Sequence, residues 1–181
     1  LLDAMRMNLH LRTAQRVLYS MDSFSASHPD DLYARMKRQP WEDVLATGSP
    51  LSLTSFADTP SIRDGRYVNQ RAKDAIVDRI RDRQKIRPNS GPERVGAVVH
   101  VHWSGTNISV YLDTSGEPLY RRGYRRIPLE APLQETLAAA ILLAAGWPGQ
   151  GNLLNPMCGS GTIAVEAAFS ALNIAPGFLR K

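Results

Sequence analysis

The sequence predicts an α/β fold organised in two parts. In the first part, stretches that alternate apolar and polar residues flank a long stretch with helical periodicity, which indicates strands packed against a helix. In the second part, an Ala- and Leu-rich helix precedes a short apolar strand, a glycine turn and another helix. The order strand, glycine turn, helix is typical of the start of a βαβ unit.

The first 48 residues are predicted to be mainly helical. Apolar residues at helical spacing predict a helix over residues 2 to about 19. Either Asp30 or Asp31 can cap the N-terminus of a second helix, and Pro40 ends it. One further helical turn begins at Pro40 and is closed by Gly48.

A strand, a long helix and a hairpin are predicted next. Residues 50–57 alternate as a strand does, and residues 95–103 do the same before "SGTN" turns the chain into "ISVYLD" as a β-hairpin. Between them, a helix from about Tyr67 to Lys85 has a buried stripe at four-residue intervals. The stripe consists of Val68, Ala72, Ile76 and Ile80.

The second part has two predicted helices with a strand between them. An Ala/Leu helix with Pro132 near its start ends at Gly146, and its few charges predict that it is mostly buried. The strand is expected at residues 152–155, and the second helix follows the glycine turn.

Two histidines lie two residues apart on one face of the strand at residues 95–103. His100 and His102 have the spacing of a metal-ligand pair, but no third ligand type clusters nearby in the sequence. An outward sheet face is the favoured interpretation, and no metal ion is expected.

The charge of the chain is concentrated in two clusters. The formal net charge is +5. Residues 60–95 contain ten Lys or Arg against five Asp or Glu, and "YRRGYRR" at residues 120–126 contains four arginines without an acid. Such clusters indicate contacts with RNA or DNA phosphates, although part of the first cluster is consistent with a solvated helix face. The candidate RNA-binding residues are Arg63, Arg66, Lys73, Arg121, Arg122, Arg125 and Arg126.

Composition argues against several other classes of protein. The longest apolar stretch, near residues 137–145, has about half of the roughly 20 residues that a membrane span needs, and no signal-peptide layout is present. The single cysteine, Cys158, excludes an intramolecular disulfide framework and agrees with a cytoplasmic location. Because both ends interrupt predicted elements, we expect the chain to be a fragment.

The glycine turn "NPMCGSGT" admits more than one interpretation. A phosphate-binding P-loop needs a lysine before Thr162, and a nucleophile elbow needs glycines two residues on either side of Ser160, so both fail. Gly159, Gly161 and Ala164 formally satisfy the dinucleotide fingerprint G-x-G-x-x-G/A. A turn that merely begins a packed helix also remains open.

The longer stretch "LLNPMCGSGTIAVEAA" resembles a specific cofactor motif. It is similar to the D-P-x-C-G-S-G-T-x-x-x-E-A motif of class I methyltransferases that act on exocyclic amines of nucleic acids. "RGYRR", "APLQETLAAAILLAAGW" and "IAPGF" resemble its flanking segments in THUMP-containing methyltransferases, notably the 23S rRNA guanine-N2 methyltransferases. The segment from "SFADTPSIRDGRYV" through "PLYRRGYR" resembles the THUMP domain, an RNA-binding α/β module.

This resemblance implies a domain organisation and a cofactor. Residues 1–120 would form a THUMP RNA-binding region, with 1–45 as the tail of a ferredoxin-like subdomain. Residues 121–181 would begin a Rossmann-like class I methyltransferase domain that binds S-adenosylmethionine. The implied cofactor-binding residues are Asn155, Pro156, Met157, Cys158, Gly159, Ser160, Gly161, Thr162 and Glu166.

Two departures from the family pattern bear on the expected activity. Asn155 stands where the family usually has Asp, which weakens a contact with the cofactor's ammonium group by about 1 to 2 kcal/mol. The N/D-P-P-Y/F motif that holds the target amine is absent, so no catalytic residue is assigned in this chain. The expected function is S-adenosylmethionine-dependent methylation of guanine N2 in 23S rRNA; the alternatives are a tRNA enzyme of the same family and a non-catalytic RNA-binding module.

Overall fold

The computed structural model contains both helices and strands, which confirms the predicted α/β class. It describes residues 2–59, 62, 64–90, 96–126 and 130–180. The elements are, in chain order, α1 (Leu2–His10), β1 (Leu18–Ser25), α2 (Pro29–Arg38), α3 (Trp41–Val44), β2 (Leu51–Asp58), α4 (Gly65–Gln84), β3 (Ala97–Ser104), β4 (Asn107–Asp113), α5 (Glu135–Ala144) and α6 (Thr162–Ala171). None of the helices in these described ranges is long and apolar enough to cross a membrane.

The chain divides into two compact units. Residues 18–116 form one, here called the sheet unit; residues 2–17 and 117–181 form the other, here called the helical unit. The helical unit thus begins its second segment close to the predicted boundary at residue 120. It also contains residues 2–17, which the sequence assigns to the N-terminal region. The THUMP and methyltransferase assignments of the two regions stay predictions.

The sheet unit is built on a four-stranded mixed sheet with the order β1-β4-β3-β2. Strands β3 and β4 form the predicted antiparallel hairpin, with Val101 opposite Val110. Strand β2 runs parallel to β3, and helix α4 lies in the connection between them. Such a connection is required because parallel strands cannot be joined by a tight turn.

The core of the sheet unit lies between the sheet and helices α2 and α4. All four residues of the predicted α4 stripe are buried, as are Leu32 and Met36 on α2. From the sheet, the β3 residues Val99, Val101 and Trp103 complete the same cluster. The sequence therefore predicts this core correctly, since helical and strand periodicity each identify the face that is removed from water.

The first predicted helix is wrong beyond residue 10. Helix α1 ends at His10, and residues 18–25, which begin within the predicted helix, form strand β1 instead. Strand β1 pairs antiparallel with β4 from Leu18, opposite Asp113, to Ser25, opposite Asn107, with an irregularity between Ser20 and Asp22. Backbone hydrogen bonds to β4 decide this segment, because local periodicity contains no information about partners 82 to 95 residues away.

The N-terminus of helix α2 also differs from the expectation. The capping residue is His28, and Asp31 lies three residues after it, at position N3 of the helix. The Asp31 Oδ2 accepts hydrogen bonds from the backbone N–H groups of His28, at 3.1 Å, and Ser27, at 3.2 Å. The acid therefore stabilises the helix start from inside the first turn, as in a capping box.

The helical unit contains α1, α5 and α6, and no strand in the part of it that the structure describes. Residues 152–155 belong to no strand, so the predicted strand is not formed there, and Leu154 is 88% exposed. A strand needs a hydrogen-bonding neighbour, and none lies beside these residues within the described ranges. Helix α5 buries one face only: Leu137 and Leu143 are exposed, so the expectation that it is mostly buried is wrong for the other face.

Trp41 provides a test of the core of the sheet unit. Its side chain is completely buried, and its Nε1–H donates a hydrogen bond to the Met36 carbonyl at 2.7 Å. We expect Trp41→Ala to lower the free energy of unfolding by about 3 to 5 kcal/mol, because it leaves a large cavity. Tyr67→Ala, at a half-exposed position of helix α4, is the control and should have a much smaller effect. Urea denaturation measures both, and equal losses would contradict this description of the core.

Candidate functional site

The glycine turn before helix α6 has the backbone conformation that its sequence requires. Gly159 and Gly161 have φ angles of +50° and +76°, in the left-handed region that residues with a Cβ rarely adopt. The Gly161 N–H donates to the Cys158 carbonyl at 2.7 Å and closes the turn. A Cβ placed on either glycine would meet no heavy atom within 4 Å. The turn therefore borders open space, in which a ligand can approach the backbone closely.

The N-terminus of helix α6 points into the same turn. Gly161 is the capping residue and supplies no side-chain acceptor. The first helical hydrogen bond runs from the Val165 N–H to the Gly161 carbonyl at 2.9 Å. The N–H groups of residues 162–164 consequently have no acceptor within the helix, and the helix dipole gives this end a partial positive charge. Such an end favours an oxygen-rich or anionic ligand group.

A cleft of about 180 Å³ lies against the turn. One wall consists of residues 130–133, and the other of residues 157–160 with Thr162 and Ile163. A second cleft of about 580 Å³ shares Pro132 and Leu133 and extends along the arginine-rich segment at residues 120–125. Asn155, just before the turn, has a buried Nδ2 with no hydrogen-bond acceptor in the described part of the chain. The turn therefore borders an open cleft, and an unused donor lies directly before it in the chain.

Arg125 connects the turn to the start of helix α5. Its guanidinium donates to the Ser160 Oγ and to the Thr162 Oγ1, each at 3.3 Å. It also donates to the Glu135 carboxylate and to the Leu133 carbonyl, each at 3.1 Å. The two hydroxyls are 3.0 Å apart and share a hydrogen bond. The conformation of the turn is thus held by side chains as well as by its glycines.

Behind the turn, Glu166 of helix α6 forms a buried ion pair with Arg122. The Arg122 Nε lies 3.6 Å from the Glu166 Oε1, and neither side chain has any exposed surface. Arg122 also donates to the carbonyls of Leu11, at 3.3 Å, and Arg12. The Tyr124 hydroxyl donates to the same Glu166 oxygen at 3.1 Å. The pair therefore joins the segment after α1, the arginine-rich segment and helix α6.

Burial controls the protonation equilibria of this cluster. It raises the pKa of the Glu166 carboxyl, although the charge of Arg122 and the hydrogen bond from Tyr124 act in the opposite direction. It lowers the pKa of the Arg122 guanidinium and raises that of the Tyr124 hydroxyl. All three directions follow from the loss of hydration of the charged form. Each charge of the pair therefore depends on its partner for compensation.

The structure brings most of the predicted cofactor residues together but corrects one of them. Residues 155–162 line or border the turn, and Met157 and Cys158 are exposed there. Glu166 lies one turn further along α6, with its side chain in the interior. It is placed to hold Arg122 and Tyr124, and the interpretation of Glu166 as a direct cofactor ligand does not agree with its burial.

The predicted RNA-binding residues fall into distinct environments. Arg63 lies outside the described residues. Arg66 is 91% exposed beside Asp64, and Lys73 is half-buried on helix α4. Arg121 is 62% exposed beside Glu117, and Arg126 is also exposed. These residues remain candidates for phosphate contacts.

The assignment of Arg122 to RNA binding is corrected. This side chain is buried, donates to two backbone carbonyls and forms an ion pair with Glu166, so it has no surface to present to a phosphate. Arg125 is only 22% exposed and is likewise engaged within the protein. Counting charges in "YRRGYRR" does not separate these two arginines from Arg121 and Arg126.

Sequence reasoning missed the internal role of these arginines, although a signal for it exists. After residue 126 the only acids are Glu130, Glu135 and Glu166, and the last two lie within apolar helices. A buried carboxylate needs a cation, and the nearest preceding cations are those of residues 121–126. The isolated acids could thus have indicated that part of the arginine cluster points inward.

The two histidines of β3 have partners on the sheet. The His100 Nε2 lies 3.2 Å from the Asp113 Oδ2, and the His102 ring stacks on Phe56 with ring centroids 5.1 Å apart. Within the described ranges no group of three His, Cys, Asp or Glu side chains is arranged to hold a metal ion. These contacts give both histidines a place in the sheet surface.

Comparisons with known proteins by family model, sequence and structure all find methyltransferases. A family model described as an RMKL-like methyltransferase domain matches residues 122–181. Over 98% of its length the chain is 42% identical to the ribosomal RNA large subunit methyltransferase K/L of Syntrophotalea carbinolica, of which it covers 25%. The chain therefore spans about a quarter of the length of this curated relative.

Two solved structures resemble the chain along almost its whole length. A protein of Listeria monocytogenes, described as a predicted N6-adenine-specific DNA methylase, is 34% identical with a TM-score of 0.84, covering 97% of this chain and 46% of that one. SMU.472, whose structure was solved in complex with SAH (S-adenosylhomocysteine), is 31% identical with a TM-score of 0.82. That match covers 96% of this chain and 46% of SMU.472.

Glu166 tests the buried ion pair. We expect Glu166→Ala to lower the local stability of helix α6 by about 3 to 5 kcal/mol, because it leaves the buried charge of Arg122 without compensation. Hydrogen exchange of the α6 backbone amides measures this stability. Glu117→Ala, which removes the exposed partner of Arg121, should leave the same amides unchanged. Unaltered α6 protection in Glu166→Ala would contradict the role assigned to the pair.

Proposed function

We propose that the chain is part of an S-adenosylmethionine-dependent RNA methyltransferase whose cofactor binds at the glycine turn before α6. Its similarity to the RMKL-like methyltransferase domain and to a ribosomal RNA large subunit methyltransferase K/L supports this proposal. The single observation that carries the proposal is the geometry of that turn. Two left-handed glycines border open space at the uncapped start of a helix. Because neither glycine has a side chain, a ligand in this space can contact the backbone directly.

The residues at the turn fit the methionine and ribose portion of such a cofactor. The positive end of helix α6 suits a carboxylate, and the Ser160 hydroxyl lies on the exposed side of the turn. The buried Asn155 Nδ2, which has no acceptor in the described part of the chain, is one more donor beside the turn. The cleft of about 180 Å³ accommodates part of the cofactor.

The bound cofactor supplies the methyl group, and the residues of this chain contribute its orientation. The glycine backbone allows close approach, and the hydroxyls and helix N-terminus restrict rotation of the amino-acid portion. A methyl transfer depends strongly on alignment of the donor carbon with the acceptor nitrogen. Accurate placement by a rigid turn therefore bears directly on rate, and the buried Arg122–Glu166 pair supports that rigidity.

We favour ribosomal RNA, specifically guanine N2 of 23S rRNA, as the substrate. The relative named as a ribosomal RNA methyltransferase is 42% identical, against 34% for the protein described as a DNA methylase. Exposed arginines on both units supply phosphate contacts. Because guanine N2 is paired in a helix, the target base would be unpaired or flipped out. A cytoplasmic location is part of this proposal, as is tRNA as the alternative substrate of the same family.

Gly159→Val tests the cofactor site. We expect the dissociation constant for SAH, measured calorimetrically on the full-length protein, to rise at least tenfold, or about 1.4 kcal/mol, because the new side chain occupies the ligand space. Gly146→Val is the matched control: Gly146 also has a positive φ, of +66°, with open space around it, but lies after α5. Equal SAH affinity in Gly159→Val and the wild type would refute this site.

Exposed arginines test RNA binding separately. We expect the double variant Arg121→Gln/Arg126→Gln to weaken RNA binding and to reduce the slope of log affinity against log salt by about 0.7 to 0.9 for each phosphate that the protein no longer neutralises. SAH affinity should be unchanged in this variant. Fluorescence anisotropy with rRNA and tRNA fragments, over a series of salt concentrations, measures the slope and the substrate preference. An unchanged slope would show that these arginines do not contact phosphate.

A further inference from the structure

We propose that Arg125 does not contact RNA but is a positioning residue of the cofactor turn. It sets the direction in which the turn hydroxyls of Ser160 and Thr162 donate their hydrogen bonds. The inference rests on the proposed binding of S-adenosylmethionine at this turn and deepens it. It concerns an arginine that lies in the basic segment "YRRGYRR" and that charge counting groups with Arg121 and Arg126.

The guanidinium of Arg125 is committed to four acceptors within the helical unit. Nε donates to Glu135, Nη1 to Ser160, and Nη2 to both the Leu133 carbonyl and Thr162. These acceptors belong to the segment before α5, to the first residue of α5, and to the turn that starts α6. The planar guanidinium presents its donors in a fixed geometry, so these segments are held at defined distances from one another.

The direction of the hydrogen bonds determines what the turn offers to a ligand. Each hydroxyl has one hydrogen to donate and accepts through its lone pairs. Arg125 can only donate, so Ser160 and Thr162 both accept from it. Of the two hydroxyl hydrogens, one is used in the 3.0 Å contact between Ser160 and Thr162. One hydrogen is left over for a further acceptor.

Burial indicates which hydroxyl holds that remaining hydrogen. Both residues line the cleft beside the turn, but Thr162 is only 4% exposed, whereas Ser160 is exposed. An outward donation is therefore available to Ser160, with Thr162 donating to Ser160. Arg125 thus makes the Ser160 hydroxyl a donor toward the cleft. A donor beside the positive end of helix α6 matches the carboxylate of an amino-acid ligand.

The same contacts make Arg125 a poor phosphate ligand. Its side chain is largely buried, and Glu135 at 3.1 Å compensates its charge. A phosphate would have to displace the hydrogen bonds to Ser160 and Thr162 in order to bind. The exposed Arg121, by comparison, pairs with an equally exposed Glu117 and is accessible to a ligand.

The experiment measures SAH affinity and RNA affinity on the same full-length variants. We expect Arg125→Gln to raise the dissociation constant for SAH at least tenfold while the salt slope of RNA binding stays at the wild-type value. Arg125→Lys should not restore SAH affinity, because one ammonium group cannot hold the turn hydroxyls and Glu135 together. Ser160→Ala should weaken SAH binding by itself, and Arg125→Gln should have a smaller further effect in that background.

Controls separate this inference from the proposed function. Arg6→Gln, which changes an exposed arginine of helix α1 in the same unit, should leave SAH affinity unchanged. Far-UV circular dichroism monitors folding, and Ser160→Ala, at an exposed position, keeps the test valid if Arg125→Gln unfolds. A wild-type protein that binds no SAH overturns the proposed function and the inference resting on it. Normal SAH affinity in Arg125→Gln, with a reduced RNA salt slope, overturns the inference alone.

Discussion

The buried contact between Arg122 and Glu166 is the interaction on which the helical unit depends. Both side chains are removed from water, which is costly for each charge, and the cost is offset only while they lie together with Tyr124 and the carbonyls that Arg122 contacts. Three chain segments distant in sequence meet at this point. Helix α6, and with it the glycine turn at its start, is therefore fixed in place by a buried charge pair.

The arginines of residues 120–126 fall into two groups, one internal and one exposed. Arg122 and Arg125 point inward, where Glu166 and Glu135 compensate them, and they support the turn. Arg121 and Arg126 remain on the surface, available to a polyanion. A short basic segment thus connects the proposed cofactor site with a candidate RNA-binding surface of the same unit. Neighbouring arginines can have these different roles because burial decides what each guanidinium contacts. A buried guanidinium contacts a carboxylate of the protein, and an exposed one is available to a polyanion.

The glycine turn illustrates how a ligand site is prepared before the ligand is present. Left-handed glycines shape the backbone, the uncapped helix start leaves N–H groups without acceptors, and Arg125 orients two hydroxyls. Each feature would be a defect in a turn with no ligand, since unused donors have a free-energy cost. Their coincidence at one place, in a chain whose residues 122–181 match the RMKL-like methyltransferase family model, supports the proposal of a cofactor site.

The sequence alone determined the features that depend on local pattern. The α4 stripe, the β3–β4 hairpin and the left-handed glycines are correct because periodicity and the absence of a Cβ act over a few residues. Tertiary structure decided the rest. Residues 18–25 became a strand because β4 offers an edge, and residues 152–155 remained unpaired in the described part of the chain. Arg122 became internal because folding brings it beside Glu166, which lies 44 positions further along the sequence. No local pattern encodes a contact between residues so far apart in the chain.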